Sequence, residues 1–170
     1  YTNPVLSHQL LDKITTSTIA YLKEQIKSGA DIVQVFDSWA GVLSKQQYIE
    51  FALPYMQKIA TAIAEVPVIL FAKDAHYILE EFAATNCSVI GLDWTIEPQK
   101  ARSEAPAKCL QGNLDPCVLY ADKSVIKSET EKMLRAFGTQ KYICNLGHGV
   151  YPDVDFEKAK YFIDVVQNFK

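Results

Sequence analysis

Apolar positions along the chain switch between helical spacing and continuous short runs, and the switch repeats about five times. Leu10, Leu11, Ile14, Tyr21, Leu22 and Ile26 recur at helical intervals, and Gly29 stands where a helix C-cap belongs. Residues 31–36 follow as a β-branched apolar run, and Asp37-Ser38-Trp39-Ala40-Gly41 reads as a loop. Ser44 is an N-cap candidate for a helix whose apolar face is Tyr48, Phe51, Ala52, Tyr55, Met56, Ile59, Ala60 and Ile63. Pro54 lies inside that period, where it either kinks the helix or opens a second one at its first turn.

The alternation continues with a strand over 66–71, a short helix near 78–84, a strand over 87–92 and a short helix around 99–104. A brief strand over 108–110 runs into Gln111-Gly112-Asn113-Leu114-Asp115-Pro116, which reads as a rigid polar loop. Ile126, Thr130, Met133, Leu134 and Phe137 predict a helix that stops at Gly138, and residues 142–146 give the last strand. Asp155 is placed to cap a closing helix carrying Phe156, Ala159, Phe162, Ile163 and Val166. Strands apolar on both faces, each followed by a helix, predict an α/β fold with a parallel sheet covered by helices. No G-x-G-x-x-G follows the first strand and no Walker loop occurs, which removes support for a nucleotide-binding doubly wound sheet.

The polar residues that break the pattern all follow strands: Asp37 and Ser38, Asp74 and His76, Asp93, Gln111 and Asn113, Asn145 and His148. Loops after the C-terminal ends of strands are where (β/α)8 TIM-barrel enzymes build their sites. Five βα units cannot close an eight-stranded barrel, so the 170 residues are expected to be a fragment of a longer chain. The opening Tyr1-Thr2-Asn3-Pro4, without methionine, points the same way.

Composition narrows the function classes. The chain is 49% hydrophobic and 22% charged, an ordinary globular balance, and its net charge of −3 provides no basic stripe for nucleic acid. No apolar run is long enough to span a bilayer and no signal-peptide pattern opens the chain. Cys87, Cys109, Cys117 and Cys144 are irregularly spaced, without a C-x-x-C pair, and three lie in or beside apolar runs. They are expected to be buried, reduced thiols of a cytosolic protein.

His148 sits between Gly147 and Gly149 at the end of a strand. Flanking glycines let backbone approach a ligand closely, and a histidine there can bind a carboxylate, move a proton, ligate a metal, or simply be satisfied by backbone groups. No second His or Cys lies two to four residues after it, which weakens the metal reading. Ser38 lacks the G-x-S-x-G elbow of a nucleophile, leaving a hydroxyl donor to a ligand oxygen or a turn cap. Asp93 and Asp74 read as carboxylates that bond their own loops, the latter as a cap.

Taken together these loops resemble the uroporphyrinogen decarboxylase family. The segments are Gly29-Ala30-Asp31, Gln34-Val35-Phe36-Asp37-Ser38-Trp39-Ala40-Gly41, Phe51-Ala52-Leu53-Pro54-Tyr55, Phe71-Ala72-Lys73-Asp74, Gly91-Leu92-Asp93-Trp94, the stretch 110–116, and Asn145-Leu146-Gly147-His148-Gly149. The resemblance implies a distorted (β/α)8 barrel, a cytosolic homodimer without metal or organic cofactor, which converts uroporphyrinogen to coproporphyrinogen by decarboxylating four acetate side chains. It implies that residues 1–170 are the C-terminal part of that single barrel domain, and that Ser38 and His148 touch carboxylates of the tetrapyrrole. The family's arginines, central aspartate and substrate-contacting tyrosine have no counterpart here, so no catalytic residue is assigned. Two alternatives remain at this point. One is an inactive or regulatory half-barrel. The other is a related zinc-dependent, cobalamin-linked methyltransferase, which needs a His-x-Cys pair where this chain has Val150 two residues after His148.

Overall fold

In a computed structural model, which describes residues 2–169, five strands alternate with seven α-helices. In chain order these are α1 (Pro4–Lys27), β1 (Val33–Asp37), α2 (Lys45–Phe51), α3 (Leu53–Ala62), β2 (Val68–Ala72), α4 (Leu79–Ala83), β3 (Val89–Gly91), α5 (Pro98–Glu104), β4 (Cys109–Leu114), α6 (Lys123–Phe137), β5 (Tyr142–Leu146) and α7 (Phe156–Gln167). Three 3-10 turns, Ala40–Val42, His76–Ile78 and Pro116–Tyr120, follow β1, β2 and β4. The strand order is β1-β2-β3-β4-β5, with β1 parallel to β2 and β4 parallel to β5. Sequential parallel strands joined by helices are the repeating unit of a (β/α)8 barrel, of which this is a part. The chain divides into two compact units, one up to Ile90 and one from Gly91 onward.

In the first unit the cause of each boundary is local. Asn3 caps α1 by accepting from the Leu6 amide at 3.0 Å, and Pro4 supplies a preset first turn. Ser44 and Gln47 form a reciprocal capping box at the start of α2. Pro54 opens α3 rather than kinking a longer helix. Strand β2 is the apolar centre: Val68, Ile69, Leu70 and Phe71 are all buried, as a strand covered on both faces requires. Tyr48 of α2 is wholly buried and meets Phe82 of α4 edge to face, with ring centroids 6.1 Å apart.

Two expectations need correction here. Helix α1 buries only Thr15 and Leu22, while Leu10, Ile14 and Tyr21 are 58%, 52% and 64% exposed. Its apolar period marks a face suited to burial, and α3 covers only one side of it, through a His8–Tyr55 hydrogen bond of 2.8 Å and an Asp12–Lys58 ion pair. The terminal strands are likewise not apolar-buried on both faces, since Phe36 of β1 and Ile143 of β5 are exposed.

The second unit is organised by β4. The strand runs to Leu114, so Gln111, Gly112 and Asn113 are strand residues paired with Ile143, Cys144 and Asn145, not the loop their polarity predicts. Amides are uncommon in strands. Asn113 is tolerated because its side chain finds two carbonyl acceptors inside the fold. Helix α6 packs through Ile126, Thr130, Met133, Leu134 and Phe137 and stops at Gly138, whose φ of 71° is left-handed. Asp155 caps α7 by accepting from the Glu157 amide at 2.9 Å. The four cysteines are free, but only Cys87 is buried; Cys117 is exposed, because it lies on the outward side of the turn after β4.

Gly112 and Gly138 separate two reasons for glycine. A Cβ on Gly112, at φ 137°, would come within 2.5 Å of the Leu92 carbonyl oxygen, whereas one on Gly138 would meet nothing within 4 Å. Gly112→Ala is therefore expected to cost about 3 kcal/mol and Gly138→Ala about 1 kcal/mol, the latter from backbone strain alone. Denaturant titration of the two variants checks this, and equal losses would contradict it.

Candidate functional site

Ser38 follows β1 directly and is exposed, as is Trp39, which is 78% exposed. What fixes this loop is the loop after β2. The Lys73 amide donates to the Asp37 carbonyl at 2.9 Å, and the Gly41 amide donates back to the Lys73 carbonyl at 2.9 Å. The Tyr77 hydroxyl donates to the Leu43 carbonyl at 2.5 Å and lies 3.2 Å from the Ala40 carbonyl. Gly41 presses against Asp74: a Cβ there would stand 2.5 Å from the Asp74 Cβ. Any side chain at position 41 would push the Ser38 loop off its support.

Asp74 does not cap a helix. It takes a left-handed φ of 56°, which aspartate tolerates, and pairs with its neighbour Lys73 at 2.5 Å. Asp37, at the end of β1, lies beside two tyrosines. Burial first, and the Asp37 carboxylate second, push the phenols of Tyr48 and Tyr77 above their ordinary value. Both tyrosines therefore remain protonated throughout the neutral range.

His148 follows β5 in the second unit and is also exposed. The residue before it carries the constraint. The Gly147 amide donates to the Leu114 carbonyl at 2.7 Å, and a Cβ on Gly147 would sit 2.7 Å from the Trp94 amide nitrogen. The turn it rests on is tied internally, since Asp93 Oδ1 accepts from the Thr95 amide at 2.8 Å and from the Thr95 hydroxyl at 2.5 Å. That turn is closed from behind by Asn113, whose Nδ2 donates to the Asp93 carbonyl at 2.9 Å and the Ile96 carbonyl at 2.8 Å. Asp93 thus does what its position after a strand predicts, bonding backbone and side chain of its own loop.

Ser38 and His148 belong to different units, and in each unit the residue stands on a loop supported by the loop of another strand. Both sit at C-terminal strand ends, the side on which barrel enzymes work. Neither lines either of two cavities of comparable volume. One, of about 470 Å³, runs between α1, β1 and α3; the other, of about 490 Å³, lies behind the Trp94–Glu97 turn against α6. Among the described residues no three His, Cys, Asp or Glu side chains converge as a metal cluster, and no helix is long and apolar enough to cross a membrane.

Sequence reasoning missed Tyr77; it read Gly147 as room for a ligand where the Trp94 turn lies, and Asn113 as part of a polar loop. Asn113 was visible only as an amide in a polar run, because its two acceptors lie 20 and 17 residues away. Asn113→Asp would set a carboxylate oxygen against two carbonyls, removing both hydrogen bonds, and is expected to cost about 3 kcal/mol of stability. A urea midpoint unchanged from the parent would refute the assignment.

The family model described as uroporphyrinogen decarboxylase matches residues 1–169. Relatives named uroporphyrinogen decarboxylase include that of Christiangramia forsetii, 45% identical over all of this chain and 50% of its own length. Those of Ovis aries and Chlorobaculum parvum are 46% and 47% identical over 98% of the chain, covering 48% and 50% of the relatives. The chain therefore spans about half the length of the curated relatives it matches. A solved methyltransferase from Methanosarcina mazei shares the fold with a TM-score of 0.84, covering 94% of this chain and 48% of that one, at 20% sequence identity.

Proposed function

The chain belongs to the uroporphyrinogen decarboxylase family, and from that membership we propose that it forms the C-terminal part of a single barrel domain that decarboxylates the four acetate side chains of uroporphyrinogen. The product is coproporphyrinogen. The match over residues 1–169 carries the reading, and the relatives' identity of about 45% over the whole chain supports it. The enzyme is a carboxy-lyase acting in the cytoplasm as a homodimer, with no metal or organic cofactor.

The chemistry assigns this half a binding role. Decarboxylation breaks the bond between the acetate methylene and its carboxyl group, CO₂ leaves, and the electron pair flows into a pyrrole ring protonated at its α-carbon. The methylene then takes a proton to become methyl, and the α-carbon gives up the proton it had taken, which restores the aromatic pyrrole. Stabilising the ring cation calls for a carboxylate near the pyrrole nitrogens, and anchoring the acidic periphery calls for guanidinium groups. Neither function falls to Ser38 or His148. Ser38, exposed and held from below by Tyr77 and Lys73, donates its hydroxyl to a substrate carboxylate. His148 meets another carboxylate from a loop whose next residue, Gly149, leaves open space around it.

Two outcomes test this. Residues 1–170 alone are expected to form no coproporphyrinogen from uroporphyrinogen, and measurable product would sink the binding-half reading. In the intact native protein, His148→Asn is expected to lower kcat/KM for uroporphyrinogen about 10- to 100-fold, the worth of a hydrogen bond to a charged group, with the thermal midpoint unchanged. Parent-like kinetics would return His148 to a purely structural loop residue.

A further inference from the structure

Beyond His148 the chain passes through Gly149, Val150, Tyr151 and Pro152, all exposed, before Asp153 leads into the cap of α7. The near end of this span is fixed at Gly147, as described. The far end is fixed by a residue 33 positions upstream. Tyr120, the last residue of the 3-10 turn after β4, donates its hydroxyl to Asp153 Oδ1 at 2.6 Å. Its ring stacks on that of Tyr151, with centroids 6.2 Å apart and planes 25° from parallel. The turn that carries Tyr120 is itself secured. Asp115 Oδ1 accepts from the Cys117 amide at 2.8 Å, and Lys158 of α7 donates to the Ala121 carbonyl at 2.5 Å.

We propose that Tyr120 is a positioning residue for His148, strapping the 148–153 span at its far end through Asp153 and Tyr151. The proposal rests on the reading of His148 as a carboxylate contact. A six-residue span fixed at both ends has already lost the conformational freedom that an anion would otherwise have to remove on binding, so the strap strengthens affinity by preorganisation. It makes no contact with reacting atoms, and its loss therefore acts on KM rather than kcat.

The protonation state suits this role. The hydrogen bond to Asp153, ahead of burial and the carboxylate's charge, pushes the Tyr120 phenol up to about 12. A phenol whose folded-state pKa is raised contributes fully below its ordinary value of ~10 and loses that contribution as pH climbs through the folded value. The strap is therefore intact at every pH at which the enzyme would act.

Tyr120→Phe keeps the ring stack and removes only the hydroxyl, so the variant is expected to fold. In the 170-residue chain, amide hydrogen exchange at positions 148–151 should quicken about fivefold. In the native protein, KM for uroporphyrinogen should rise about fivefold with kcat within about twofold, the size of one hydrogen bond. Asp153→Ala, which removes the acceptor, should match both effects and return the Tyr120 phenol toward its ordinary titration, and the double variant should add little. Unchanged exchange in Tyr120→Phe overturns the strap. Faster exchange with unchanged KM, where His148→Asn does raise KM, overturns the positioning role and leaves the contact reading of His148 standing. Unchanged KM in both variants overturns that contact reading, and the role of Tyr120 falls with it.

Discussion

Close approach of backbone to backbone is the constraint on which both candidate contacts depend. Gly41 lies against Asp74, and Gly147 lies against Asp93 and Trp94, each with no room for a Cβ. Where two loops touch at main-chain distance, the height of one is dictated by the other, and a side chain cannot rearrange to absorb an error. Ser38 is three residues from the first such contact and His148 is adjacent to the second. The precision of each residue is therefore borrowed from a neighbouring strand's loop.

Polar groups make those contacts rigid. In the second unit one buried amide, Asn113, spends both its donors on the carbonyls of the turn beneath Gly147. In the first unit the Tyr77 hydroxyl serves Ala40 and Leu43, on either side of Gly41, in the same way. Each is a hydrogen bond to a main-chain carbonyl that would otherwise lie poorly hydrated near the loop, so removing it costs the desolvation of the acceptor as well as the bond. The two units thus use one device twice with different chemistry, an amide in one and a phenol in the other.

How much of this was legible in the sequence depends on the range of the interaction. The caps at Ser44 and Asp155 and the stop at Gly138 were readable because donor and acceptor lie within a turn of each other. The α/β class was readable from spacing, and the family from strand-end segments in order, which the family match bears out. The β4 extension through Asn113 was not, since burying that amide becomes favourable only when carbonyls distant in the chain arrive to accept from it. The exposed stripe of α1 shows the complementary limit: periodicity reports that a face is apolar, and says nothing of which element covers it. Tyr120 and Asp153 have no spacing signal, because a bond across 33 residues exists only once β4 and β5 are paired.

The strand order has a consequence for synthesis. Each strand's partner is the one before or after it in sequence, with only helical connections between them, so the loops closed on folding are local. Low contact order of this kind favours assembly in the order of translation. The pairing of β1 with β2, and the loop contact that holds Ser38, need nothing beyond Ile90. The support for Ser38 can therefore be complete on the ribosome before the codon for His148 has been read.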